Sequence, residues 1–176
     1  MSRDILYIGM DESNHGEVKS RIGEIIVATC SYNKTLWEYK KHFRRRDFSK
    51  VNERLNENLI DYVYTLLPHE IAKYKYSNLP LVAPFLVDSL LEDKAVSKVK
   101  LGLDGQLKRE DKNNLIDTLE ETGLEFDVFN FIKRNHVHYG PELIYLSHLI
   151  ANNLFSQSML EIAKDDHYLA FDILKI

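Results

Sequence analysis

Asp11 and Glu12 end an apolar run, Ile5-Leu6-Tyr7-Ile8-Gly9-Met10, and Asp104 ends another, Val99 to Leu103. In an open α/β sheet, ligands gather beyond the carboxyl ends of the strands. If these runs are strands lying parallel and adjacent, Asp11 and Asp104 meet at one sheet edge. Carboxylates that close repel one another unless a cation or proton intervenes. Hard oxygen ligands of this kind select Mg²⁺ or Mn²⁺. Such ions orient an attacking water and stabilise the leaving oxygen of a phosphodiester. Acidic residues after a strand also serve as turn and cap residues, so the metal reading depends on what surrounds them.

Basic and aromatic residues supply part of that surrounding. Lys40-Lys41-His42-Phe43-Arg44-Arg45-Arg46 is the densest basic run, with Trp37, Tyr39 and Phe48 around it. Clustered cations neutralise phosphates, and aromatic rings offer stacking platforms for unpaired bases. Lys73-Tyr74-Lys75-Tyr76 alternates cation and ring, and Lys133-Arg134 would put positive charge near the acidic residues. A single basic run is usually a solvated face. Here the runs fall between the acidic motifs, which favours nucleic acid as the partner. The net charge of -4 does not oppose this, because binding depends on where the basic residues lie. Metal sites also add carboxylates that their ions neutralise.

The elements that must position these groups follow from periodicity. Ile5 to Met10 reads as a strand, closed by turn chemistry in Ser13-Asn14-His15-Gly16. Ile22 to Cys30 is rich in β-branched residues and is expected to pair antiparallel with it. Residues 34 to 48 fit either a third strand or the start of a helix. From Val51 the apolar positions Leu55, Leu59, Ile60, Val63, Leu66 and Leu67 predict one helix closed by Pro68. Ile71 to Tyr76 alternates as a strand, and Pro80 to Leu91 reads as a helix with Pro84 in its first turns. Val99 to Leu103 delivers Asp104-Gly105. Lys108 to Glu121 is an amphipathic helix with Gly123 beyond its end, and Phe126 to Ile132 is read as the last strand. Gly140-Pro141 opens a helix carrying Leu143, Leu146, Ile150 and Leu154 on one face, and the tail from Met159 reads as helical.

Two antiparallel strands followed by strands alternating with helices give an α/β fold with a mixed sheet flanked by helices. A chain of 176 residues, 44% apolar and 28% charged, suits one domain over residues 1–176. No stretch reaches the roughly 20 apolar residues of a membrane helix. The start, MSRDILYIGMDE, lacks a secretory apolar region, and the single cysteine, Cys30, sits in an apolar run. Cytoplasm is the expected compartment, with Cys30 a small core residue.

Taken in order, these residues resemble a family. Ile8-Gly9-Met10-Asp11-Glu12-Ser13-Asn14-His15-Gly16 is similar to the opening motif of type 2 ribonucleases H, a strand ending in Asp-Glu and a short loop closing on Gly. An apolar strand (Ile25 to Thr29), a helix with small and apolar residues (Leu81 to Leu91) and a strand delivering Asp104-Gly105 follow in the family's order. The resemblance implies a ribonuclease H-like fold with Asp11, Glu12 and Asp104 as metal ligands. The family's last strand ends in Lys-Gly-Asp before a helix rich in small residues. Here Lys133-Arg134-Asn135 precedes a helix containing Ala151, and Asn135 stands near where the fourth carboxylate would be. His136, His138 and Glu142 are the nearby substitutes; in related resolvases and Argonaute-type nucleases a His fills this role. His136 and His138 share one side if the backbone is extended, and imidazole suits Mn²⁺ better than Mg²⁺. His15 and His148 receive no catalytic role. The family's Gly-Arg-Gly loop, which reads the ribonucleotide 2′-hydroxyl, is replaced by Asn14-His15-Gly16, where Asn tolerates the left-handed conformation.

The expectation is a divalent-metal-dependent nuclease. Asp11, Glu12, Asp104 and His138 would be catalytic, with His136 and Glu142 as further candidate ligands for Mg²⁺ or Mn²⁺. Asn14, His15, Gly16, Lys40, Lys41, Arg44, Arg45, Arg46, Lys133 and Arg134 would contact an RNA–DNA hybrid or single-stranded DNA or RNA. The competing readings are an exonuclease on single-stranded DNA and a non-catalytic nucleic-acid-binding module on the same fold.

Overall fold

The computed structural model describes residues 5–13, 23–43, 50–68, 77–105, 107–131, 137–155, 157 and 159–170, with backbone alone at 43, 137–139 and 159–160. The chain runs through β1 (Ile5–Glu12), β2 (Glu24–Ser31), a 3-10 turn (Lys34–Trp37), β3 (Lys40–Phe43), α1 (Val51–Glu57) and β4 (Asp61–Leu67). It continues through α2 (Leu79–Leu91), β5 (Lys98–Asp104), α3 (Arg109–Glu120), β6 (Glu125–Phe131), β7 (Val137–Gly140), α4 (Glu142–Leu154) and the short α5 (Met159–Ile162).

Five strands form a mixed sheet in the order β4-β2-β1-β5-β6. β2 is antiparallel to β1, with Tyr7 opposite Ser31 and Glu12 opposite Ile26. β5 runs parallel to β1, with Met10 beside Leu103, and β6 runs parallel to β5. The mixed sheet with antiparallel N-terminal strands and flanking helices is the one expected. Every residue of β2 is buried, as its continuous apolar run requires of a strand covered on both faces.

Side chains alternate between the two faces of the sheet, and each face has its own core. Leu6, Ile8, Met10, Ile26, Ala28, Leu101 and Leu103 pack with Val82, Leu86 and Val87 of α2. Tyr7, Ile25 and Val27 pack on the opposite face with Leu143, Leu146 and Ile150 of α4.

Three expectations are corrected. The helix read over Val51 to Leu67 ends at Glu57, and Asp61–Leu67 is a strand paired antiparallel with β2. Leu59 adopts a left-handed backbone (φ 49°) that breaks the helix. The aromatic and β-branched run that follows then supplies a strand to the free edge of β2, with Tyr64 fully buried. Second, Phe126–Ile132 does not hold the last strand: β7 follows β6 and pairs with β3 in a separate two-stranded ladder, Lys40 opposite Gly140 and His42 opposite His138. Residues 34 to 43 are therefore a 3-10 turn and a strand, not a helical start. Third, the tail is helical only over Met159–Ile162 among the described residues. Beyond it Tyr168 bridges to Tyr64, and Leu169 N–H donates to the Tyr64 carbonyl at 2.8 Å, lining the outer edge of β4. The expected strand over Ile71 to Tyr76 and the turn over residues 14–16 lie outside the described residues. Among the described residues no helix is long and apolar enough to cross a membrane.

Candidate active site

The site is organised by how closely α4 approaches β1. Gly9 has no side chain to hold the helix away: a Cβ there would lie 2.4 Å from the Ile144 backbone nitrogen and 2.6 Å from the Leu143 carbonyl carbon. Hydroxyls lock the contact. Ser147 Oγ donates to the Gly9 carbonyl at 2.8 Å and Thr29 Oγ1 to the Leu143 carbonyl at 2.9 Å. The next residue on α4 is His148, whose Nδ1 lies 2.8 Å from Asp11 Oδ2, both groups being almost fully buried. Asn152, one turn on, donates from its amide to the His148 carbonyl at 2.8 Å and lies 2.9 Å from the ring Nε2. The same amide nitrogen is 3.2 Å from Nδ1, so it lies against the imidazole ring and not along the lone pair of one nitrogen.

Asp104 shares this face. Its strand follows β1 in register, Leu103 beside Met10, so Asp104 adjoins Asp11. Gly102, two residues earlier, faces Ile144 of α4 and the ring of Trp37. Asp104 is buried. The loop after it is tied to β6, because Gly105 N–H donates to the Phe131 carbonyl at 3.0 Å and the Asn130 amide donates to the Gly105 carbonyl. Gly105 has φ +126°, a conformation that side chains strain to adopt. The two aspartates are thus held at adjoining strand ends under the N-terminal half of α4.

Glu12 lies on the other face. Its Oε2 accepts the Asn78 backbone N–H at 3.0 Å, at the residue that caps α2. A carboxylate there satisfies an otherwise orphaned helix N–H and suits the positive end of the helix dipole. The Asn78 amide in turn donates to Glu24, which is fully buried at the start of β2. Glu12 N–H donates to Asp11 Oδ1 at 2.8 Å, so the dipeptide is braced by its own backbone while its carboxylates point to opposite sides of the sheet.

The remaining candidates are distributed more widely. Glu142 opens α4 nearly two turns before His148 and is gripped by Arg54 of α1, with Nε and Nη2 donating at 2.5 and 3.0 Å. Burial pushes the Glu142 carboxyl up, but the hydrogen bonds and charge of Arg54 outweigh it and hold the group below the ordinary carboxylate value. At Asp11 the structure places His148 and not Glu142. The backbone of His138 lies in β7 opposite His42, shortly before α4 begins. His42 stacks on Tyr145 with ring centroids 4.8 Å apart, and burial lowers its pKa. Lys40 and Lys41 are exposed on β3. Asn14, His15, Gly16, Arg44, Arg45, Arg46, Lys133, Arg134 and His136 lie outside the described residues.

Sequence reasoning missed His148, Glu24 and Asn78. His148 had a signal: it sits between Ile144 and Ala151 on the buried stripe of α4, where an imidazole needs a polar partner.

Among the described residues no three His, Cys, Asp or Glu side chains form a ready cage for a metal ion. Asp11 and His148 instead satisfy one another. The donor set on the α4 face, two carboxylates at adjoining strand ends and one imidazole, is nevertheless of the type that Mn²⁺ accepts.

No family model matches the chain, and no curated protein matches it. Among solved structures, RNase HII in the PCNA:RNase HII complex from Archaeoglobus fulgidus is similar, with a TM-score of 0.51 and 10% sequence identity. The match covers 93% of this chain and 81% of that chain. At that identity the likeness speaks to the fold, which is ribonuclease H-like.

Proposed function

We propose that the chain, acting as one ribonuclease H-like domain, is a divalent-metal-dependent nuclease centred on Asp11, Asp104 and His148. The observation that carries this reading is the burial of Asp11 and Asp104 at adjoining parallel strand ends with His148 at Asp11. A buried carboxylate needs a cation, a proton or hydrogen-bond donors, and strand ends in this topology are where ligands gather. Bound there, Mg²⁺ or Mn²⁺ would supply an activated water and charge neutralisation at the leaving oxygen.

The chain's own residues divide the remaining work. Asp11 and Asp104 would hold the ion. His148 would join them through Nδ1, the ring nitrogen at Asp11, with Asn152 packed against its ring. His148 thereby takes the place expected for His136, His138 or Glu142. Glu12 would act from behind, its contact with the α2 N-terminus fixing the strand end on which Asp11 sits. Nucleic acid would approach across the basic residues at Lys40 and Lys41. The narrower reading as a divergent type 2 ribonuclease H draws its support from the ordered motifs of the sequence. In that reading the substrate is an RNA–DNA hybrid.

A second reading, a nucleic-acid-binding module without turnover, is favoured by the closed Asp11–His148 pair. Cleavage of labelled RNA–DNA hybrid, single-stranded DNA and single-stranded RNA with and without Mn²⁺ separates the two. Nuclease function requires Mn²⁺-dependent products, lost by a factor of about a thousand or more in Asp11→Asn and in Asp104→Asn with unchanged circular dichroism. Full activity in either variant removes the assignment. Binding without products selects the module.

A further inference from the structure

Phe131 is the register partner of Asp104 across β5 and β6, and Phe129 is that of Gly102. Both rings therefore share the sheet face of Asp104. Trp37 reaches over from the 3-10 turn, its ring centroid 5.9 Å from Phe129 and 6.3 Å from Phe131, and Tyr39 lies 5.9 Å from Phe131. Gly102 makes room for them: a Cβ there would meet the Trp37 ring at 2.8 Å and the Phe131 ring at 3.1 Å.

This cluster is only half a core. Trp37 and Phe131 form its inner part, whereas Tyr39 is 65% and Phe129 39% exposed. β6 is an edge strand of the five-stranded sheet among the described residues, so the exposed rings of Tyr39 and Phe129 form a shelf at that edge. Exposed Lys34, Lys40 and Lys41 lie along the same stretch of chain as Trp37 and Tyr39. Rings that were simply core would be covered, and a solvated basic face would not present two large aromatic surfaces.

We propose that Trp37, Tyr39, Phe129 and Phe131 form a stacking shelf for unpaired bases, so that the substrate is a single-stranded nucleic acid whose backbone passes Asp104. The position of the backbone at Asp104 rests on the nuclease reading; the shelf itself does not. Aromatic faces accept any base, but only one that is not already stacked within a duplex. The lysines would neutralise flanking phosphates.

The test is binding of the full chain, in EDTA, to fluorescein-labelled oligothymidylate, oligouridylate and a blunt DNA duplex of equal length. The expected result is affinity for the single strands at least about tenfold above that for the duplex. Binding should also quench the single tryptophan, Trp37. Tyr39→Ala and Phe129→Ala should each weaken single-strand binding by about tenfold, and Tyr39→Phe should restore it; the thymidylate and uridylate arms show which sugar is preferred. Equal affinity for duplex, or alanine variants that bind single strands like the parent, overturns the proposal. So does concentration-dependent self-association abolished by Tyr39→Ala, which would make the shelf a contact between copies. Hydrolysis of a small aryl phosphodiester by the unmodified protein with Mn²⁺ reads the carboxylate site separately. If that hydrolysis is absent while the shelf binds as expected, the nuclease reading fails and the shelf stands; the reverse removes the shelf alone.

Discussion

His148 Nδ1 and Asp11 Oδ2 lie 2.8 Å apart beneath α4, each group almost fully buried. The pair joins α4 to the carboxyl end of β1, the central strand. An ionised carboxylate so buried is costly unless it has partners, and the imidazole joins the Glu12 N–H in that role. In the proposed nuclease the same imidazole would help Asp11 and Asp104 hold the ion. The two roles predict different responses to substitution.

Replacing His148 with Asp distinguishes them. Placed beside Asp11, a new carboxylate repels it and is expected to lower the melting temperature in EDTA. If the position is a ligand, millimolar Mg²⁺ should restore much of that loss, by more than it raises the unmodified protein, because a ligand bound to the native state stabilises it by mass action. Metal preference in cleavage should move from Mn²⁺ toward Mg²⁺, since a hard oxygen replaces nitrogen. His148→Ala, which removes the imidazole from Asp11, should cost about 3 kcal/mol of stability. A melting temperature of His148→Asp that neither metal changes would make the pair purely structural.

The parts legible in the sequence were those with one consistent period. β1 and β2 are largely apolar runs, β5 alternates Val99, Leu101 and Leu103 with Lys100 and Gly102, and the Leu143-Leu146-Ile150-Leu154 stripe admits only a helix. β4 was hidden because Leu59, Ile60, Val63, Leu66 and Leu67 fit a helical period as well as a strand. What decided it was the open edge of β2, a tertiary fact. The β3–β7 ladder was hidden by charge and aromatic content that suits several states. At the site, Asp11 and Asp104 could be found because each terminates an apolar strand. His148 gave a weaker signal, because one imidazole in an apolar stripe needs a polar partner but ordinarily reads as a satisfied core residue. The opposed directions of Asp11 and Glu12, by contrast, follow directly from strand alternation.

Gly9→Ala tests how α4 is seated. The added Cβ would meet backbone atoms of Leu143 and Ile144 at 2.6 and 2.4 Å, which cannot rotate aside as a side chain could. The helix must therefore shift, breaking the Ser147 and Thr29 hydrogen bonds and moving His148 from Asp11. A loss of about 2 kcal/mol or more is expected, read as a lower urea midpoint at unchanged slope. An unaltered midpoint would show that α4 sits farther from β1 than these distances state.

Glu142 gives a pH dependence with a definite sign. Burial raises its carboxyl, but the Arg54 fork outweighs this and the net shift is downward from 4.5. The unfolded chain then binds the proton more readily than the folded one. The contribution to stability is accordingly present above about pH 4.5 and is lost as pH falls through the depressed folded value. Because 42% of the Arg54 side chain is exposed, solvent screening limits the contribution to about 1 kcal/mol. Urea unfolding between pH 3 and pH 7 should show this component in the parent and not in Glu142→Gln. The same variant examines the ligand question, since a carboxylate occupied by Arg54 is not expected to set the affinity of the proposed site for Mn²⁺. If Glu142→Gln lost that affinity while keeping its fold, Arg54 would have to release Glu142 when metal binds, and α1 would become part of the site.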